Sequence, residues 1–297
     1  MRILVTGSNG QLGSEIKDIA KQYKNFDFYF TDRNSLNICD STKVKNFLLE
    51  NEIEVIINCA AYTKVEAAEN NREKAFEVNS KAVADLVANA DTLHIKIIHI
   101  STDYVFDGTS YFSYNENDVT NPLNVYGKSK LEGENFLVNS DVNGIVIRTS
   151  WLYSQFGSNF VKSMLRLGTE RNSLGVVSNE VGSPTNAKDL AIFCLELLAK
   201  NKTLNTKGKV YHYSNHGVAS WFDFAKAIME FANIECMINA IETKDYSTFT
   251  KRPIFSVLNK SNIEKDFNIQ IPFWRDSLKK CIEILKKKHN ETFNNLS

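Results

Sequence analysis

The chain has 297 residues, 43% hydrophobic and 24% charged, enough for one large or two modest globular domains around a sizeable core. Thirty-five Lys and Arg balance 35 Asp and Glu, so the formal net charge is zero and no global field invites nucleic acid or an anionic membrane. Cys39, Cys59, Cys194, Cys236 and Cys281 form no C-x-x-C pair, Met1-Arg2 enters a strand without a leader pattern, and no apolar run has a membrane span's length, so reduced thiols and a cytoplasmic location are expected.

Arg2 to Thr6 is a short aliphatic strand, followed at once by Gly7-Ser8-Asn9-Gly10-Gln11-Leu12-Gly13. Leu12, Ile16, Ile19 and Ala20 then recur at helical spacing, so the glycines stand between a strand and a helix. A structural turn has the same spelling. In this context, however, glycines let the backbone turn tightly and a pyrophosphate approach the helix N-terminus, where free N–H groups and the helix dipole favour anions. Gly7, Gly10, Gln11, Leu12 and Gly13 are therefore candidate nucleotide contacts. Phe26 to Thr31 reads as the second strand and ends in Asp32-Arg33. An acid some 20 positions beyond the glycines suits a ribose 2′-hydroxyl. Arg33 beside it suits a 2′-phosphate, so the pair points both ways. Asp40 is a candidate to meet the adenine and Ser41 a candidate cofactor contact beside it; Ser41 is also expected to cap a helix through Val44, Phe47 and Leu48.

Val55 to Ala61 is a continuous apolar run ending in small residues, as in a parallel strand buried on both faces. Ligands bind at the carboxyl ends of such strands, which makes Ala61, Tyr62 and Thr63 candidate cofactor contacts. A helical tract runs from Val65 to Leu93, with Asn79 in an apolar rhythm that leaves its facing open. A strand from Ile95 ends in Ser101 and Thr102, and the next helix carries Tyr126 and Lys130 at i and i+4, on one face. Gly144 to Ser150 is another buried strand, leading to Trp151. Strands and helices alternating at this rhythm predict an α/β fold: a Rossmann-type, doubly wound parallel sheet over residues 1–150.

Residues 151–297 read as a smaller α/β substrate-binding lobe interleaved with that sheet. Helices are expected from Phe160 to Leu167, Asp189 to Ala199 and Ser220 to Ala232, and a strand from Val210 to Tyr213. A mixed segment follows Arg252-Pro253 and closes on an amphipathic helix to Leu285, with 286–297 as a frayed polar tail. His94, His99, His212, His216 and His289 lack metal spacing and read as structural or exposed.

A ketone reduction needs a hydride donor on one side of the carbonyl and an acid near its oxygen. Tyr126, with an ordinary pKa of about 10, is protonated at neutral pH, and Lys130 one turn away can stabilise the phenolate left behind. A hydroxyl at the end of the preceding strand, Thr102 or Ser101, can polarise the carbonyl. Tyr126-Gly127-Lys128-Ser129-Lys130, the glycine loop and Thr102 together resemble an extended short-chain dehydrogenase/reductase. Ser101 to Gly108, Pro122 to Gly127, Arg148 to Tyr153, Gly182 to Thr185 and Arg252-Pro253 resemble, closer still, the dTDP-4-dehydrorhamnose reductase family, over nearly the whole chain.

This resemblance implies NADPH as hydride donor, with NADH as the alternative, and a dTDP-activated 4-keto sugar as substrate. It favours Thr102 over Ser101, assigns Lys130 to the nicotinamide ribose as well, and makes Asp103 and Trp151 substrate contacts. Arg252 is the candidate for the sugar's pyrophosphate, ahead of Lys162 and Arg166. The resemblance also implies a homodimer linked through magnesium and an acidic cluster; Glu15 matches one position of it and no other ligand can be placed. Asn37 and Glu66 depart from the family pattern, where an acid and an Asp are usual. Two other readings compete: a nucleotide-sugar epimerase or dehydratase of the same superfamily, and a non-catalytic regulatory subunit. A dehydratase carries a carboxylate pair after its Thr, whereas Thr102 here is followed by Asp103-Tyr104. A regulatory subunit has no need of the Tyr126/Lys130 pair.

Overall fold

The structure, a computed structural model, describes residues 1–200, 206–246 and 249–294, the last six of these by their backbone only. Five strands alternate with helices in the first half: β1 (Arg2–Thr6), β2 (Asp27–Phe30), β3 (Val55–Asn58), β4 (Lys96–Thr102) and β5 (Gly144–Thr149). A sixth, Lys209–His212, comes from the second half, and the sheet order is Lys209–His212, β5, β4, β3, β1, β2. Every pairing within it is parallel. The chain steps from β1 outward to β2, then returns to the other side of β1 as β3. That reversal opens a crevice at the carboxyl ends of β1 and β3, where this architecture binds ligands.

Both faces of the sheet are covered, which is why the strands read as unbroken apolar runs. Ile3 and Val5 point to one face, into a core with Leu12 and Ile16 of α1 (Gln11–Ile19) and Leu190 to Leu198 of the helix Ala187–Ala199. Leu4, between them, points to the other, with Val44 and Leu48 of α2 (Ser41–Glu50) and Leu86 and Val87 of a later helix. Each such fully buried aliphatic side chain stabilises the fold by about 1.5–3 kcal/mol. A separate core holds the second lobe together. Val161, Met164, Phe224, Ile228, Trp274 and Leu278 meet there beside a parallel pair of strands, Ser173–Val177 and Met237–Ile241. The second half thus serves two bodies, since its helix Ala187–Ala199 and strand Lys209–His212 complete the first.

Local differences from the expectation have local causes. The N-cap of α2 is Asp40, whose carboxylate accepts the Lys43 N–H, and Ser41 is the first helical residue. The tract after β3 is divided into α3 (Val65–Asn70), α4 (Arg72–Phe76), a π-turn (Glu77–Lys81) and α5 (Ala82–Leu93). The last helix, Trp274–Asn294, continues beyond Leu285, and residues 295–297 lie outside the described ones. Among the described residues no helix is long and apolar enough to cross a membrane, and all five cysteines are free.

Candidate active site

A cavity of about 950 Å³ opens over the carboxyl ends of β1, β3 and β4. Its floor is the glycine loop. Gly7 has φ +63°, the left-handed region, and a Cβ there would lie 2.7 Å from Ala60 Cα. Gly10 N–H donates to the Gly7 carbonyl at 2.9 Å, closing the turn. A Cβ on Gly13 would lie 2.5 Å from that same carbonyl, so the third glycine lets α1 begin directly beneath the loop. Gly7, Gly10, Gln11 and Leu12 line the cavity, and Gly13 supports them from behind. The arrangement fits a dinucleotide: a tight turn, open space above it and a helix N-terminus beneath. Buried Gln11 Oε1, Ser101 Oγ, Thr149 Oγ1 and Arg252 Nε, all on lining residues, lack hydrogen-bond partners among the described residues.

The wall carrying the chemistry is α6 (Val125–Val138), whose N-cap Asn124 accepts the Gly127 N–H at 2.8 Å. Its position is set by Asn79 in the π-turn, a common functional irregularity in helices. Asn79 accepts from the Tyr62 N–H at 2.7 Å and donates to the Tyr62 carbonyl and to Ser129 Oγ, both at 3.0 Å. It is fully buried, which settles the facing that the apolar rhythm left open. A Cβ on Gly133 would lie 1.9 Å from the Asn79 carbonyl, so α6 approaches to backbone contact. Gly133→Ala is expected to push α6 off the π-turn, lowering the melting temperature and kcat together. Unchanged values of both in thermal denaturation and turnover assays would show that the contact is dispensable.

Thr102, Tyr126 and Lys130 converge on the cavity. Lys130 is buried and donates through Nζ to the Ile100 carbonyl at 2.6 Å; desolvation lowers its pKa to about 8. Burial pushes the Tyr126 phenol up to about 12, against a hydrogen bond with Thr102 that favours ionisation. Lys130 therefore does not depress the phenol here, where its ammonium is turned to a backbone carbonyl. Thr102 Oγ1 donates to Asp103 Oδ1 at 3.0 Å and accepts the Tyr104 N–H at 3.3 Å. Asp103 is buried, and desolvation raises its pKa to about 6 although the Ser256 and Thr102 hydroxyls oppose the rise. Ser101 also lines the cavity.

Asp32, Arg33, Ala61, Tyr62, Thr63, Trp151 and Arg252 line the same space. Asp32 accepts the Ser35 N–H and hydroxyl and the Asn34 N–H, which hold its carboxyl below the ordinary carboxylate range, and it also accepts a bond from the Asn9 side chain. Asp40 and Ser41 do not line the cavity, because Asp40 is turned to its cap bond. Trp151 has φ +46° and stacks on Trp221 with centroids 3.6 Å apart and planes 6° from parallel. Arg252 pairs with Glu66 of α3 at 2.8 Å, and Thr250 holds the other oxygen of Glu66 at 2.7 Å. Lys162 donates to the carbonyl of Gly157, a lining residue, and Arg166 pairs with Glu170; neither Lys162 nor Arg166 itself lines the cavity. Asn79, Gly133 and Trp221 were not singled out as site residues from the sequence; a polar residue inside an apolar helical rhythm was the signal for Asn79.

The expectation for Glu15 is corrected. Its carboxylate is 1% exposed and accepts from Ser154 Oγ at 2.6 Å and Gln155 Nε2 at 3.3 Å, and burial raises its pKa. It ties α1 to the segment after β5 and presents no charged surface ligand. Among the described residues no group of three His, Cys, Asp or Glu is placed to hold a metal ion, so the donor set does not fit the implied magnesium. His99 is buried against Asn58, His212 is buried against the Tyr114 carbonyl, His216 meets Glu264, and His94 ends α5 in the left-handed region. The side chain of His289 lies outside the described residues.

The family model described as RmlD substrate binding domain matches residues 1–287. A dTDP-4-dehydrorhamnose reductase of Aggregatibacter actinomycetemcomitans is 39% identical, covering 94% of this chain and 97% of that one. A solved dTDP-4-dehydrorhamnose reductase from Clostridium acetobutylicum aligns with a TM-score of 0.91 at 38% identity, covering 96% of this chain and all of its own. Another from Bacillus anthracis, solved in complex with NADP, aligns with a TM-score of 0.89 at 35% identity, covering 94% and 98%. With the glycine loop, the Thr102/Tyr126/Lys130 set and nearly full-length matches in agreement, the chain belongs to the RmlD substrate binding domain family.

Proposed function

We propose that this protein reduces the 4-keto group of dTDP-4-dehydrorhamnose to give dTDP-L-rhamnose, a precursor for cell-surface polysaccharide, using NADPH. The observation that carries the reading is the convergence of a part-buried phenol, a buried ammonium and a strand-end hydroxyl on one wall of a dinucleotide-shaped cavity. Relatives named dTDP-4-dehydrorhamnose reductase over nearly the full length support the substrate, and the neighbour solved with NADP supports the cofactor.

When bound, the dinucleotide supplies the hydride. The glycine loop and the N-terminus of α1 hold its pyrophosphate, and Ala61, Tyr62 and Thr63 flank it from β3. Tyr126, firmly protonated, gives its hydroxyl proton to the oxygen of the reduced carbonyl. Lys130, charged below its pKa of about 8, would turn from the Ile100 carbonyl to the nicotinamide ribose when the cofactor binds, and from there stabilise the phenolate. Thr102 orients the carbonyl oxygen, Trp151 and Asp103 contact the sugar nucleotide, and Arg252 exchanges Glu66 for its pyrophosphate. Burial keeps these charges at low local dielectric, where each is worth more than in water.

Two outcomes follow. Raising the pH through about 8 removes the Lys130 charge, so kcat/KM is expected to fall on that side, and a flat profile from pH 7 to 9 would contradict the role. Asp32 is already engaged by Asn9, Asn34 and Ser35, which leaves Arg33 as the residue facing a 2′-phosphate. Arg33→Ala is therefore expected to raise KM for NADPH about tenfold or more, the loss of one charge-assisted phosphate contact, with KM for NADH little changed. Equal changes for both cofactors would remove Arg33 from that role.

The test of the function is an absorbance assay with purified protein, both cofactors and a panel of nucleotide-linked keto sugars. One NADPH consumed for each dTDP-4-dehydrorhamnose supports the reading. Sugar conversion without net cofactor consumption would favour an epimerase, and no conversion would favour a regulatory subunit.

A further inference from the structure

Asn124 carries one amide, and the two ends of it serve different parts of the site. Its Oδ1 accepts the Gly127 N–H at 2.8 Å and so caps α6, the helix of Tyr126 and Lys130. Its Nδ2 donates to the Lys251 carbonyl at 2.9 Å, across 127 positions of the chain. An N–H needs an acceptor and a carbonyl needs a donor, so the two partners fix which way the amide points. The side chain is buried.

Lys251 belongs to a short strap, Thr250 to Arg252, that packs on α3. Thr250 donates through Oγ1 to one Glu66 oxygen at 2.7 Å, and Arg252 through Nη2 to the other at 2.8 Å. Further along, the Ile254 carbonyl accepts the Val181 N–H at 2.7 Å, and the Ser256 N–H donates to the Val181 carbonyl at 2.8 Å. Glu69, one turn after Glu66 on α3, accepts the Val125 N–H at 2.8 Å. The strap and the first turn of α6 are thus docked side by side on α3, with Asn124 joining them. Arg252 and Tyr126 both line the cavity.

We infer that Asn124 is a positioning residue: through Lys251 it holds Arg252 in place relative to Tyr126, so that one side chain sets both the proton donor and the anchor of the substrate's diphosphate. The inference rests on the reading of Arg252 as that anchor. A sugar nucleotide gripped at its diphosphate reacts at a carbonyl some way off, so the separation of anchor and acid decides whether that carbonyl meets the phenol. Tyr126 stands two residues after Asn124, and Arg252 one residue after Lys251. One hydrogen bond therefore closes a short route from acid to anchor. The Arg252–Glu66 pair is partly exposed, and such pairs are weak, so the guanidinium is free to change partner. With Thr250 and Asn124 holding the strap, that exchange needs only side-chain motion.

The two arms of Asn124 are separable. Asn124→Ser keeps a good helix cap but has no second arm for Lys251, whereas Asn124→Ala loses both. The Ser variant is expected to bind dTDP about tenfold more weakly in calorimetry, the effect of a carbonyl left without its donor. KM for the sugar nucleotide is expected to rise by a similar factor, with kcat and the Kd for NADPH near their wild-type values. The Ala variant is expected to share the rise in KM and to lose kcat as well, so that Ser restores kcat alone. A residue that only capped α6 would leave N124S indistinguishable from the wild type, and that result would overturn the inference. An equal loss of NADPH affinity in N124S would overturn it too, since the whole site would then have loosened.

Thr250→Val removes the strap's tie to Glu66 without touching α6, and it is expected to weaken dTDP in the same way at unchanged kcat. An unmoved dTDP affinity in T250V would count against the inference even where N124S fails to fold. Arg252→Ala separates the inference from the reading beneath it. Weaker dTDP binding in R252A with none in N124S would overturn the role of Asn124 and leave the anchor standing. Unchanged binding in R252A would remove the anchor, and the inference with it.

Discussion

Replacing Tyr126 by Phe is expected to lower kcat about a thousandfold with little change in either KM, because general acid catalysis contributes about 10²–10⁴ and binding uses other residues. The ring itself is retained, including its edge contact with Tyr104 at 5.6 Å between centroids. No neighbouring acid replaces the phenol at pH 7. Burial holds Tyr104 still higher than Tyr126, and Lys130 is bonded to the Ile100 carbonyl. A variant within about threefold of the wild-type kcat would mean that another group gives the proton.

Glu134→Ala is expected to be the most damaging of these substitutions for stability. Glu134 and Arg148 are 1% and 4% exposed and form a two-pronged pair, Nε at 3.2 Å and Nη2 at 2.5 Å. Arg148 also donates to the Glu116 carbonyl and lies 5.1 Å over the Phe106 ring. Truncating Glu134 leaves a guanidinium in a dry interior, which costs about 3–5 kcal/mol and on the order of 10 °C in melting temperature. Glu134→Gln keeps one acceptor and is expected to lose less. A drop below about 2 °C for the alanine variant would show that water reaches Arg148. The pair joins α6 to β5, so the same substitution also loosens the helix that carries Tyr126 and Lys130.

What was legible in the chain is what short-range chemistry writes. A β-branched run followed by three glycines and a helical rhythm specifies the strand, the turn and the helix N-terminus from within about 20 residues. Tyr126 and Lys130 declare their shared face by a spacing of four. What was hidden depends on partners distant in sequence. Asn79 meets Ser129 across 50 positions and Tyr62 across 17, and the backbone approach at Gly133 closes over it. Glu134, an ordinary helical acid in the chain, becomes half of an interior ion pair once β5 brings Arg148 to it. Asp40 and Ser41 are both good caps, and the choice between them rests on where the turn before α2 ends. By resemblance Glu15 matches one position of an acidic metal cluster; Ser154 and Gln155, which hold it buried instead, lie some 140 positions away.

The central claim is that a hydride from NADPH arrives at the carbon whose oxygen Tyr126 protonates. It is tested most directly with NADPH deuterated at the transferred position and dTDP-4-dehydrorhamnose as acceptor, the product being read by mass and proton spectra. One deuterium at C4 of the sugar per cofactor oxidised is the expected result. An unlabelled sugar, or label at any other carbon, would contradict it.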